Sequence, residues 1–277
     1  MNIERRNFLK TTAGASLAAA AGCTSTGAQT NENDDETQLD REFYELRRYR
    51  FSGDEDRSIV HNYLSDAAVP AYNRNDVEPV GVFEPAEVDA EDHETVTDVL
   101  YVLLPYNSLD QMVTARQELP DDPAYREAAG EYMDVPQDNP AYDRIESSLM
   151  IAFEGFPTLK LPEQTTTGSD RLFEIRTYES HNEERARRKV EMFNRAEMEL
   201  FNSLGFNAVF YGDKLIGDQM PNLTYMLVFD DYEQRKTLWK KFFNSEGWEK
   251  LSSKERYKNT VSKVHNWFVS PTEYSQI

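Results

Sequence analysis

Leu172-Phe173-Glu174-Ile175-Arg176-Thr177-Tyr178 echoes Phe43-Tyr44-Glu45-Leu46-Arg47-Arg48-Tyr49, with Glu174 standing 129 residues after Glu45. Each stretch alternates polar and apolar residues, the period of a half-buried strand. The echo continues in order. Val80-Gly81-Val82-Phe83 is answered by Ala208-Val209-Phe210-Tyr211, Asp98 to Leu103 by Thr224 to Phe229, and Asp121 to Tyr125 by Asn244 to Trp248. Several ordered matches at nearly constant spacing imply duplication. The polar stretch 161–169 contains Pro162 and Gly168 and reads as a linker. It separates a first unit, 41–160, from a second, 170–277.

Both units spell the same elements. After the first strand, Asn182 is placed to cap a helix that Gly205 ends, and a counterpart helix starts near Asp54. Two strands follow. Ser108 with Gln111, and Asp231 with Gln234, then have the spacing of capping boxes. Closing strands are expected near 146–153 and 261–269. The order β-α-β-β-α-β predicts an α+β fold of two tandem ferredoxin-like units. Helices cover one face of such a sheet, and the second copy is the simple cover for the other.

Fifteen Tyr, fifteen Phe and three Trp supply ample area for a core. The net charge of −20 repels phosphate backbones, so nucleic acid is not an expected partner. A single cysteine, Cys23, excludes an intramolecular disulfide. Arg5-Arg6-Asn7-Phe8-Leu9-Lys10 resembles a twin-arginine export motif, and the Ala-rich run after it is too short to span a bilayer. Leu17-Ala18-Ala19-Ala20-Ala21-Gly22-Cys23 resembles a lipobox, with Ala20 where Leu is usual. These readings make 1–22 a signal peptide, Cys23 a lipidation site and 23–40 a polar, acidic tether. The chain is then exported and held at a membrane facing the periplasm or cell exterior.

Phe173-Glu174-Ile175-Arg176-Thr177-Tyr178 and Trp239-Lys240-Lys241-Phe242-Phe243-Asn244-Ser245-Glu246-Gly247-Trp248 resemble the NIPSNAP family, within the dimeric α+β barrel superfamily. The resemblance covers roughly 40–270 and is closer in the second unit. The first unit has Arg48 for Thr177, Tyr125 for Trp248, and an extra stretch, Gly130 to Asp143. The resemblance implies that the two units pair into a barrel. It implies no single activity, because the superfamily holds haem-degrading and quinone-forming monooxygenases beside members of undefined role.

The repeated Glu-x-Arg-x-Tyr is the leading ligand-binding candidate. Alternation puts Glu45, Arg47 and Tyr49 on one strand face, and Glu174, Arg176 and Tyr178 likewise. These residues are expected to look into the space between the sheets, with Tyr44, Leu46, Phe173 and Ile175 under the helices. There a guanidinium would hold a carboxylate or carbonyl oxygen and a phenol would orient it, or the Glu–Arg pairs would simply fix the packing. Of His61, His93, His181 and His265, none is spaced from another as metal ligands are, and His265 near Trp267 is the one placed to face the same space. Trp239, Trp248 and Tyr211 either line a pocket or pack helices. No metal or cofactor is expected, and catalytic residues stay unassigned. The sequence thus predicts an exported protein that binds a small organic ligand or an envelope partner protein. The alternative is an oxygenase or isomerase using the inter-sheet pocket through Arg176, Tyr178 and His265. Homo-oligomerisation is left open.

Overall fold

A computed structural model describes residues 41–53, 57–88 and 97–277. The expected signal peptide, Cys23, the tether, Asp54 and His93 lie outside the described residues. In chain order the first half comprises β1 (Phe43–Arg50), α1 (Arg57–Asn62), a π-helical segment (Tyr63–Ala68), α2 (Val69–Arg74), β2 (Gly81–Pro85), β3 (Val99–Tyr106), α3 (Leu109–Glu118), α4 (Pro123–Ala128), α5 (Gly130–Met133) and β4 (Arg144–Ala152). Then come α6 (Glu163–Thr167), β5 (Leu172–Glu179), α7 (Glu183–Met192), a second π-helical segment (Phe193–Glu197), α8 (Met198–Leu204), β6 (Asn207–Ile216), β7 (Asn222–Phe229), α9 (Tyr232–Phe243), α10 (Glu246–Ser252) and β8 (Lys263–Pro271).

The helix signals act as their chemistry requires. Asn182, Ser108 and Asp231 each accept a hydrogen bond from the backbone N–H three residues on, and Gly205 ends α8 at φ 96°. The linker is partly helical. It holds α6, which Gly168 ends at φ 68°.

The eight strands close into one antiparallel barrel in the cyclic order β1-β3-β2-β8-β5-β7-β6-β4. Each half contributes its strands in the same relative order, β4-β1-β3-β2 and β8-β5-β7-β6. The seams are β2 against β8 and β4 against β6. All eight strands lie in one compact unit, Leu39–Ile277. The register corrects one detail of the repeat. Arg48 faces Tyr101 and Thr177 faces Thr224, so Tyr101, rather than Asp98, is the counterpart of Thr224.

Both faces of the barrel wall are buried. Its interior is packed with Tyr44, Leu46, Phe83, Tyr101, Met150, Phe173, Ile175, Phe210, Met226 and Trp267, and with Ile277 from the C-terminal end. Outside, the helices of each half press a second apolar layer onto the sheet, around Tyr63, Leu64 and Tyr72 in one half and Phe193, Phe201 and Trp239 in the other.

Candidate functional site

The register that sends Phe173 and Ile175 inward sends Glu174, Arg176 and Tyr178 outward, beneath the helices. This reverses the expectation for both Glu-x-Arg-x-Tyr sets. The physical reason is the supply of partners. The barrel centre around Phe173 and Ile175 offers a carboxylate no cation, whereas α9 delivers Arg235 and the Trp239 N–H to the outer face. Glu174 is 0% exposed. Its Oε1 accepts from Arg176 (2.7 Å) and Arg235 (2.8 Å), and its Oε2 from the Trp239 indole N–H (2.8 Å). Burial pushes this carboxyl up, but the Arg176 charge, the Arg235 hydrogen bond and charge, and the Trp239 donor bring it below the ordinary range. The Arg176 guanidinium stacks 4.4 Å from the Trp239 ring and donates to the Tyr178 hydroxyl (3.3 Å), which shares a 2.7 Å hydrogen bond with Tyr225.

The first half repeats the design with other donors. Glu45 accepts from Arg47 (2.8 and 2.9 Å), Arg116 on α3 (2.7 Å), Tyr106 (3.1 Å) and Ser147 (2.6 Å). Burial works against its ionisation, yet the Arg47 hydrogen bond and charge, with Ser147 and Arg116, hold it at about 2. Tyr49 packs edge-on to Tyr142, while Tyr132 stacks on Tyr63 at 3.8 Å. The extra stretch of the first half therefore acts as an aromatic cover over the outer layer.

The second half also buries an ion pair without a first-half equivalent. Lys189 meets Glu197 at 2.6 Å, inside a box of Tyr178, Phe193 and Trp248 rings. Burial pushes the Glu197 carboxyl up, and Lys189 offsets this only in part.

His265 does lie on the inner side of the wall, at one mouth of the barrel. It hydrogen-bonds Glu179 and Gln219 and stacks on Trp267. Arg48, Lys214, Asp218 and Ser148 complete a polar cap there. Burial opposes the charge of Asp218, but Arg48 and then Lys214 hold it at about 2. Burial pushes Lys214 down, and Asp218 offsets part of this. The space at this mouth is about 20 Å³, room for a water molecule and little more. His61 pairs with Tyr274 and Glu84 on the outside of the first half, and His181 is exposed after β5. Among the described residues no group of three or more His, Cys, Asp or Glu is placed to hold a metal.

A roomier concavity, about 510 Å³, lies outside the barrel wall. It runs between α8 and the chain that follows β4. That chain crosses beside β6, where Lys160 N donates to Val209 O (2.9 Å), and it is pinned by Gly155 N donating to Asn194 Oδ1 (2.8 Å). The floor is apolar, with Phe206, Ala208, Tyr211 and Val228, and the rim carries Lys160, Glu163, Asn194, Glu199, Asn202 and Asn207. Of the three aromatic candidates read from sequence, Tyr211 lines this groove. Trp239 serves Glu174, and Trp248 packs on Phe242 at 4.6 Å. The rest of the groove was missed because its walls come from the linker and from α8, which are far apart in sequence. Asn194, a half-buried polar residue next to Phe193 on the packed side of the helix, is the local signal that could have found it.

Residues 173–276 match the NIPSNAP family model, which makes the second half of the barrel a NIPSNAP domain. Two solved structures are similar to this chain over most of its length. A monooxygenase candidate from Fusobacterium nucleatum is 11% identical over 84% of this chain and 93% of its own, with a TM-score of 0.51. Another, from Lactobacillus acidophilus, is 6% identical over 83% of this chain and 94% of its own, with a TM-score of 0.50. A NIPSNAP family protein from Agrobacterium tumefaciens is 15% identical over 43% of this chain and 96% of its own, with a TM-score of 0.35. At such identities the likeness of the two barrels concerns the fold alone. No curated protein matches the sequence.

Proposed function

We propose that this chain is a binding protein built from two tandem ferredoxin-like units, and that the groove beside β6 takes a small organic ligand. The observation that carries the reading is the 510 Å³ groove, with an apolar floor and a polar rim, on a barrel whose centre is filled. The Glu-x-Arg-x-Tyr sets act in this reading as anchors that tie α3 and α9 to the sheet, since their polar atoms are taken up by one another. Thermal-shift screening of the full chain against small organic acids, amines and neutral compounds tests it. Compounds that raise the melting temperature should lose their effect in Ala208→Trp, which fills the floor. Hits that survive that substitution place the ligand elsewhere.

The same proposal places the protein outside the cytoplasm, anchored through lipid on Cys23, for which the N-terminal motifs are the support. Cys23→Ala should move the protein from the membrane fraction to the soluble exported fraction, and retention on the membrane refutes the anchor. The second reading is an oxygenase or isomerase. It has in its favour the His265–Glu179 hydrogen bond beside Arg48 and Lys214 at the barrel mouth. The monooxygenase candidates named above share its fold. His265→Ala should leave the groove's hits unchanged under the binding reading.

A further inference from the structure

Lys160 lays its side chain over Phe156, with Nζ 4.6 Å from the ring centroid. An ammonium at that distance is attracted by the negative face of the ring, and quaternary ammonium ions use the same attraction. Phe156 is itself braced edge-on by Tyr211, with centroids 5.2 Å apart, so the ring is held in place for whatever cation covers it. The other charged residues of the lining are Glu163 and Glu199. Both are exposed, and neither pairs with a cation among the described residues. The lining therefore holds two carboxylates, one ammonium and an aromatic face that the ammonium occupies. Asn194 is committed to Gly155 N and Val190 O, which leaves the exposed Asn202 and Asn207 carboxamides for a ligand.

We infer that the ligand of this groove is a small organic ammonium compound, for which the Lys160 amine is the built-in stand-in on Phe156. The inference rests on the groove being the ligand site. The long, exposed Lys160 side chain swings into water, and the incoming cation takes its place on the ring. Glu163 and Glu199 then balance its charge. An organic anion meets two carboxylates here and a chain of net charge −20, while a neutral compound can pack on the ring but lacks the charge that its negative face and the two carboxylates attract.

Isothermal titration of the full chain with benzyltrimethylammonium, benzoate and benzyl alcohol tests this. The cation should bind at least about ten-fold tighter than either other probe, and Phe156→Leu should weaken it by a similar factor. The sharper arm is Lys160→Gln, a surface change that leaves folding intact. Removing the competing amine should tighten the cation several-fold, whereas a mere loss of lining contacts would weaken it. The double change Glu163→Gln, Glu199→Gln should weaken the cation and flatten its salt dependence. Tighter binding of benzoate, or weaker cation binding in Lys160→Gln, overturns the ammonium class and leaves the groove standing as a site. No heat with any of the three probes overturns the ammonium class and the groove together.

Discussion

Replacing Glu174 by Ala should be among the most damaging single changes in this protein. The substitution removes the common acceptor of three donors and leaves two guanidinium groups in the protein interior. The side chains of Glu174, Arg176 and Arg235 are 0%, 11% and 6% exposed, so neither arginine can rehydrate without displacing α9. Breaking a buried pair from one side costs about 3–5 kcal/mol, because an uncompensated charge remains. For a chain of this size that corresponds to a melting temperature lower by about 6–20 °C. Glu45→Ala should cost less, about 2–3 kcal/mol, because Arg116 is 48% exposed and can turn its head into water. The combined change Glu174→Leu, Arg176→Leu, Arg235→Met should recover most of the loss, since an apolar replacement of the whole set strands no charge. Urea unfolding followed by near-ultraviolet circular dichroism gives the three values from the midpoints at constant slope. The reasoning is refuted if Glu174→Ala costs less than about 1 kcal/mol or no more than Glu45→Ala.

Acid should reveal the first-half anchor. Glu45 sits at about 2 in the folded chain against 4.5 for the free group, so its contribution is complete above pH 4.5 and is lost as pH falls from there towards 2. The loss amounts to about 3 kcal/mol, and a pH series of urea midpoints should be flatter over that window in Glu45→Gln. Asp231→Ala removes the cap of α9 and should lower stability by about 1 kcal/mol, read as a small fall in melting temperature. Ile277→Ala empties a fully buried position in the barrel interior. It should cost about 2–4 kcal/mol in the same unfolding assay.

Element order and helix ends were legible in the residues, because caps and stops are local chemistry. Asn182, Ser108, Asp231 and Gly205 act within a few residues of themselves, and no distant contact is needed to read them. The facing of β1 and β5 was not legible from strand alternation. Alternation separates two faces but does not say which one the helices cover, and here both are buried, with Tyr44 and Glu45 each 0% exposed. The deciding clue sat on another element. Arg235 lies among the inward positions of α9 with Trp239 and Phe242, and a buried arginine on a helix's sheet-facing side needs a carboxylate beneath it. The repeat itself concealed the equivalent clue, because Arg116 and Trp239 do the same job with different chemistry.

Joining both halves in one polypeptide frees each from the other's constraints. A ring made of two identical subunits carries every feature twice, related by a twofold axis. In this ring Trp239 and Arg116 have diverged, Lys189 and Glu197 occur on one side only, and the flank of β2 is occupied by the chain's last residues, with Gln276 N bonded to Val80 O (2.9 Å). The Gly155–Asn194 clasp that walls the groove beside β6 is likewise free of any need to recur on the other side of the ring. Under the proposed binding reading, this groove should saturate at one equivalent per polypeptide along a simple hyperbola.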